Sequence, residues 1–168
     1  MLVVFCEGCE ETRSAKTALD DYNPKYVSGR IMALDVGKKR IGLAVSDEMG
    51  WTAQGLETFQ RTRIREDLSR LKELASHWSV HTLLVGQPLH MSGEPSRQSE
   101  YTREFAERLK EHLSWPVVFW DERLTSVEAE RVLRESGASL EKRKKAVDRL
   151  AAVLLLESYL EYRGAGLG

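Results

Sequence analysis

Apolar residues gather into short runs from position 30 onward, and the spacing between them changes along the chain. Ile31 to Leu34 form a run that ends on Asp35, and a second run from Ile41 to Val45, with Gly42 inside it, ends in Ser46 and Asp47. Between them lie Val36, Gly37 and the basic triplet Lys38, Lys39, Arg40. Two strand-length apolar runs around a glycine-containing polar turn predict a hairpin, Arg30–Asp35 and Arg40–Ser46. A third strand, Gly55–Gln60, extends it to an antiparallel meander. The period then becomes helical: Ile64, Leu68, Leu71, Ala75 and Trp78 fall on one stripe of a helix over Thr62–Trp78. Thr82–Val85 reads as a strand buried on both faces and stopping at Gly86. It is followed by a helix over Pro95–Leu113, facing inward with Tyr101, Phe105, Leu109 and Leu113, and, after Pro116, by a strand over Val117–Trp120. Thr125 and Glu128 form a capping box for a helix that reaches Ser136 and stops at Gly137. A last helix runs from Arg143 to Tyr162. The order predicts an α/β fold, a mixed five-stranded sheet of three antiparallel strands then two parallel ones, flanked by helices on both faces.

With 168 residues and 42% hydrophobic content, the chain buries one sizeable core. Residues 1–29 stand apart: acidic, with Asn23 and Pro24 and no sustained period, they read as a poorly ordered extension ahead of a domain over 30–168. Translation starting near Val27 or Met32 is the corresponding expectation. Three of the 25 basic and five of the 26 acidic residues lie in that extension, which leaves 22 against 21. A near-balanced domain is not a non-specific nucleic-acid binder, so local clusters matter, above all Lys38–Arg40 and Lys142–Lys145. No run approaches the roughly 18 apolar residues of a membrane span, and Met1–Phe5 lacks the basic flank of a signal peptide, so a cytoplasmic protein is expected. Cys6 and Cys9 have the spacing of half a zinc site, whose other half His77, His81, His90 and His112 do not supply.

The chemistry concentrates on carboxylates. Asp35 at the tip of a buried strand, beside a glycine turn and three cations, is costly unless metal or phosphate uses it; a turn aspartate with solvated lysines is the alternative. Asp121, Glu122 and Arg123 follow the last strand directly, where ligands collect in open sheets, or else form a solvated turn with an internal ion pair. Asp148 shares a helix face with Ala151, Ala152, Leu155 and Tyr159, and the two alanines allow close packing on the sheet. A first-turn aspartate also suits the helix dipole, which is the competing explanation. Asp47 is a fourth carboxylate, better read as a turn cap. Carboxylates at two strand tips and on one helix suit phosphodiester hydrolysis with two Mg²⁺ or Mn²⁺ ions, because such ions prefer hard oxygen ligands.

The segments LDVGKKRIGLAVSD (Leu34–Asp47), VGQPLHMSGEPSRQS (Val85–Ser99), DERLTSVEAERVL (Asp121–Leu133) and KKAVDRLAAVLLLESYL (Lys144–Leu160) resemble the YqgF/RuvX family, in order and over Arg30 to Tyr162. That resemblance implies an RNase H-like fold and a nuclease, described in the family both as a Holliday junction resolvase and as the enzyme maturing the 5′ end of small-subunit ribosomal RNA. It implies Asp35, Glu122 and Asp148 as the catalytic, metal-binding triad, and it is what prefers Glu122 to Asp121. The loop Gly86–Gly93 then lies beside the site, with His90 and Ser92 where Asn and Asp are common in relatives. Lys38, Lys39, Arg40, Arg123 and Arg97 are the candidate nucleic-acid contacts. The implied substrate is structured RNA, a ribosomal RNA precursor, with branched four-way DNA as the alternative; a resolvase would act as a symmetric dimer, whereas a processing nuclease could work as a monomer, so monomer and homodimer both stay open. Two other classes fit part of the pattern: an actin-like ATP-binding module, which needs two domains that 168 residues cannot hold, and a non-catalytic nucleic-acid-binding module, which three carboxylates would oppose. Trp51, Trp115 and Trp120 read as surface tryptophans.

Overall fold

Asp35 and its neighbours are placed by a sheet that forms where the apolar runs predict it. The computed structural model describes residues 4–5, 29–87, 97–113, 115–121 and 140–165. Strands β1 (Val4–Phe5), β2 (Arg30–Val36), β3 (Arg40–Ser46), β4 (Ala53–Gly55) and β5 (Phe59–Gln60) precede helix α1 (Ile64–His77). Strand β6 (Val80–Gln87), helix α2 (Arg97–His112), strand β7 (Val117–Asp121) and helix α3 (Leu140–Ala165) follow. The sheet order is β1-β7-β6-β2-β3-β4, with β5 also on β3. Strands β2, β3 and the β4/β5 pieces are antiparallel, and β2, β6 and β7 run parallel. This is the expected mixed sheet, with two differences at its margins.

The third strand is two pieces rather than one run from Gly55 to Gln60. Ala44 pairs with Gly55 and Ile41 with Phe59, so three steps on β3 face four on the outer strand. One extra residue in an antiparallel partner is a bulge, and it bends the chain out of the ladder after Leu56, whose N–H still donates to Leu43 at 2.8 Å. Gly55 instead makes room for α3, since a Cβ there would sit 2.9 Å from Cγ of Arg149. The second difference is β1: Val4 and Phe5, inside the extension read as poorly ordered, pair antiparallel with Val118 and Val117. Residues 1–3 and 6–28 of that extension, with Cys6 and Cys9, and the helix expected between Thr125 and Ser136 lie outside the described residues.

Strand alternation sorts the core into two layers. Met32, Leu34 and Val36 of β2 face α1 and α2, packing with Leu68, Leu71 and Ala75 and with Phe105, Ala106 and Leu109. Ile31 and Ala33 face α3 with Ala44, Leu84 and Val118, against Ala152, Leu155, Leu156 and Tyr159. Helices therefore cover both faces, and the residues expected to face inward do so; Ile64, Trp78 and Tyr101 are only partly covered. Strand β6 does not stop at Gly86, since Gly86 and Gln87 continue the ladder to Trp120 and Asp121. Of the three tryptophans read as surface, only Trp51 is, at 79% exposure. Trp115 packs against the first layer, while Trp120 donates to Ser158 Oγ at 3.2 Å and meets Tyr159 edge-on. Among the described residues no helix is long and apolar enough to cross a membrane.

Candidate active site

The site is built where β2 ends, the β2–β3 turn begins and α3 crosses over β3. Asp35 has the strand parity of Ile31 and Ala33, which puts it on the α3 face, and its cross-strand partner is Gly42. Directly opposed residues of an antiparallel pair share a face, with Cα atoms about 4.5–5.5 Å apart. Gly42 has no side chain because α3 occupies that space: a Cβ built there would overlap the backbone carbonyl of Asp148. Asp35 and Asp148 are thus the two neighbours of one glycine, the first across the ladder and the second across the sheet-to-helix gap. The sequence signal for this contact is a glycine inside an otherwise apolar strand run, which marks close backbone approach.

Asp148 is not in the first turn. Helix α3 begins at Leu140, so Asp148 lies more than two turns inside it, where the helix-dipole explanation no longer holds. Its Oδ2 accepts from Arg40 Nε, with the two side chains only 25% and 21% exposed. Arg40, expected among the phosphate contacts, is therefore already engaged by a carboxylate. Lys38 and Lys39 are exposed in the turn, which is closed by Gly37 N–H donating to the Arg40 carbonyl at 2.9 Å. Arg97 opens α2. Asp121 ends β7 in register with Gln87, and Glu122 and Arg123, like the loop from Pro88 to Pro95, lie outside the described residues. Among the described residues no three His, Cys, Asp or Glu side chains cluster; of the three carboxylates expected at the site, Asp35 and Asp148 each adjoin Gly42.

Asp47 belongs to the opposite end of the sheet. Its Oδ1 accepts from the N–H groups of Trp51 at 2.7 Å and Thr52 at 2.9 Å, so it ties the loop between β3 and β4. The hydrogen bond from Thr52, foremost, holds its carboxyl below the ordinary value of 3.8. A lowered folded value stabilises above the unfolded one and is lost as pH falls through it. Replacing Asp47 by Ala should accordingly lower the melting temperature at pH 7, with the gap to wild type narrowing below pH 3.8. Thermal unfolding of both proteins at pH 7 and pH 3 checks this, and a gap as large at pH 3 as at pH 7 would refute the carboxylate's role.

Residues 29–162 match the family model RuvX, described as Holliday junction resolvase. The chain belongs to the RuvX family. A relative from Koribacter versatilis, named as a pre-16S rRNA nuclease, is 53% identical over 141 residues, covering 84% of this chain and 92% of the relative. One of the same name from Syntrophomonas wolfei is 50% identical over 139 residues, 83% of this chain and 97% of the relative. The structure of T. thermophilus RuvC in complex with Holliday junction substrate shares the fold, with a TM-score of 0.51 at 13% identity over 81% of this chain and 96% of that one. Membership in the RuvX family makes the chain a nuclease, a hydrolase of phosphodiester bonds, in place of the ATP-binding and non-catalytic readings.

Proposed function

We propose that this nuclease depends on divalent ions and cuts structured RNA, the 5′ leader of a small-subunit ribosomal RNA precursor, in the cytoplasm. The observation that carries the reading is the meeting of Asp35 and Asp148 at Gly42. Two carboxylates on one face, at a strand end beside a cationic turn, are a hard-oxygen donor set of the kind that suits Mg²⁺ or Mn²⁺. Glu122 is the third proposed ligand. Its preference over Asp121 rests on the likeness to the RuvX family. A bound pair of such ions would activate a water and stabilise the leaving oxygen. The chain's own residues orient the donors: Arg40 fixes the Asp148 carboxylate, and Lys38 and Lys39, with Arg97 and Arg123, contact substrate phosphates. RNA is favoured because the relatives near 50% identity are named as pre-16S rRNA nucleases.

The RuvC-like fold and the description of the family favour a second reading, cleavage of four-way DNA. The purified chain, supplied with Mg²⁺ or Mn²⁺, should shorten a precursor ribosomal RNA leader and leave a mobile four-way junction intact. Paired nicks in the junction, with the RNA untouched, would reverse the choice.

A further inference from the structure

The turn that carries Lys38 and Lys39 is gripped from behind by Arg61, which directly follows β5. The Arg61 side chain is only 10% exposed. Its backbone N–H donates to the Lys39 carbonyl at 2.9 Å, and its Nη1 reaches the Gly37 carbonyl at 3.5 Å. Nη1 also donates to the Tyr101 hydroxyl, and the guanidinium lies 5.0 Å from the Tyr101 ring centre and 4.5 Å from that of Phe105. On the α1 side, Nε donates to Oδ2 of Asp67 at 3.0 Å. Asp67 is itself 2% exposed and accepts from the Thr62 N–H at 3.0 Å and, more weakly, from its hydroxyl at 3.3 Å. One buried guanidinium thus joins the turn, the start of α1 and the inner face of α2.

Stability alone is a poor explanation for this arrangement, because a buried ion pair is often matched or bettered by apolar residues of equal volume. What an apolar replacement cannot do is hold the Gly37 carbonyl, the Tyr101 hydroxyl and the Asp67 carboxylate in fixed relation; only the bond from the backbone N–H to the Lys39 carbonyl would survive it. Two adjacent exposed lysines repel each other, and Arg61 adds a side-chain hold to a turn that its own Gly37–Arg40 hydrogen bond and the Arg40–Asp148 pair fix from the other side. We propose that Arg61 is a positioning residue. It does not touch substrate; it holds the Gly37–Arg40 turn so that Lys38 and Lys39 meet phosphates beside Asp35. The inference rests on the reading of those lysines as phosphate contacts.

The test is a double-mutant cycle on the full chain, read as binding of a fluorescent precursor ribosomal RNA leader with Ca²⁺ in place of Mg²⁺, over a range of salt. Lys38→Ala/Lys39→Ala and Arg61→Met should each weaken binding about tenfold and lower the slope of log affinity against log salt by about one or more. In the lysine-free background, Arg61→Met should add less than about a twofold loss, the signature of residues acting as one unit. A merely structural arginine would lower the melting temperature and leave the salt slope unchanged, which would overturn the inference. So would equal losses in both backgrounds. Tyr101→Phe, which removes one hydroxyl and keeps the ring, repeats the cycle should Arg61→Met fail to fold, with a smaller loss that again vanishes without the lysines. If the lysine variant alone binds like wild type, both the phosphate reading and this inference fall; if it weakens binding while the Arg61 and Tyr101 variants do not, only the inference does.

Discussion

An Asp35→Asn protein is expected to fold as the wild type does and to lose at least about 100-fold of its divalent-ion-dependent cleavage, the scale on which removal of one preorganised electrostatic partner acts. The substitution keeps the shape of a side chain that is half-buried at the end of β2 and removes a ligand charge. The backbone at Asp35 is held independently of that charge, by register with Gly42 on β3 and by the buried neighbours Leu34 and Val36. Superimposable circular dichroism and melting curves should therefore accompany the lost turnover. Cleavage at the wild-type rate would remove Asp35 from the chemistry, whatever its position.

Gly42→Ala should be the most damaging single-methyl change near the site. The added Cβ has no flexible side chain to push aside, because what it meets is the carbonyl and carbonyl carbon of Asp148 within α3. The helix must lift or the strand must bend, and either opens the layer formed by Ala44, Ala152, Leu155 and Leu156. Overpacking of this kind costs about 3 kcal/mol, roughly 10 °C in melting temperature for a chain of this size. The same displacement separates Asp148 from Asp35. Cleavage should accordingly fall further than the folded fraction does, measured at a temperature where the variant is fully folded. Wild-type stability together with wild-type activity would show that α3 does not rest on Gly42.

Much of this architecture was legible because apolar alternation and helical spacing are strong where one face is buried. The stripe Ala151, Ala152, Leu155 and Tyr159 proved buried as its spacing required. The third strand misled because a bulge leaves composition unchanged while breaking the ladder, so Gly55–Gln60 looked continuous. Asp148 looked like a first-turn residue because the basic run before it hides the true helix start at Leu140. Asp35 stood out through the cost of a carboxylate after an apolar run. Its approach to Asp148 needed the third dimension, since a glycine states that something comes close and not what. Arg61 was missed for a related reason: a buried arginine disturbs no period, and its partners Gly37, Asp67 and Tyr101 are scattered over 65 positions of sequence.

Helix α3 runs from Leu140 to Ala165 with no proline and with its one glycine, Gly164, at its far end. Its Asp148 turn rests on Gly42, and its Leu160 and Arg163 lie against Gly50 in the loop that Asp47 ties. At 1.5 Å per residue those two footholds are about 18 Å apart, joined by an unbroken rod. The loop at one foothold bears the exposed Trp51, and the turn at the other carries Asp148. The carboxylate that Arg40 holds therefore shares one continuous helix with the loop that Asp47 ties, and the two ends of the sheet are spanned by a single element.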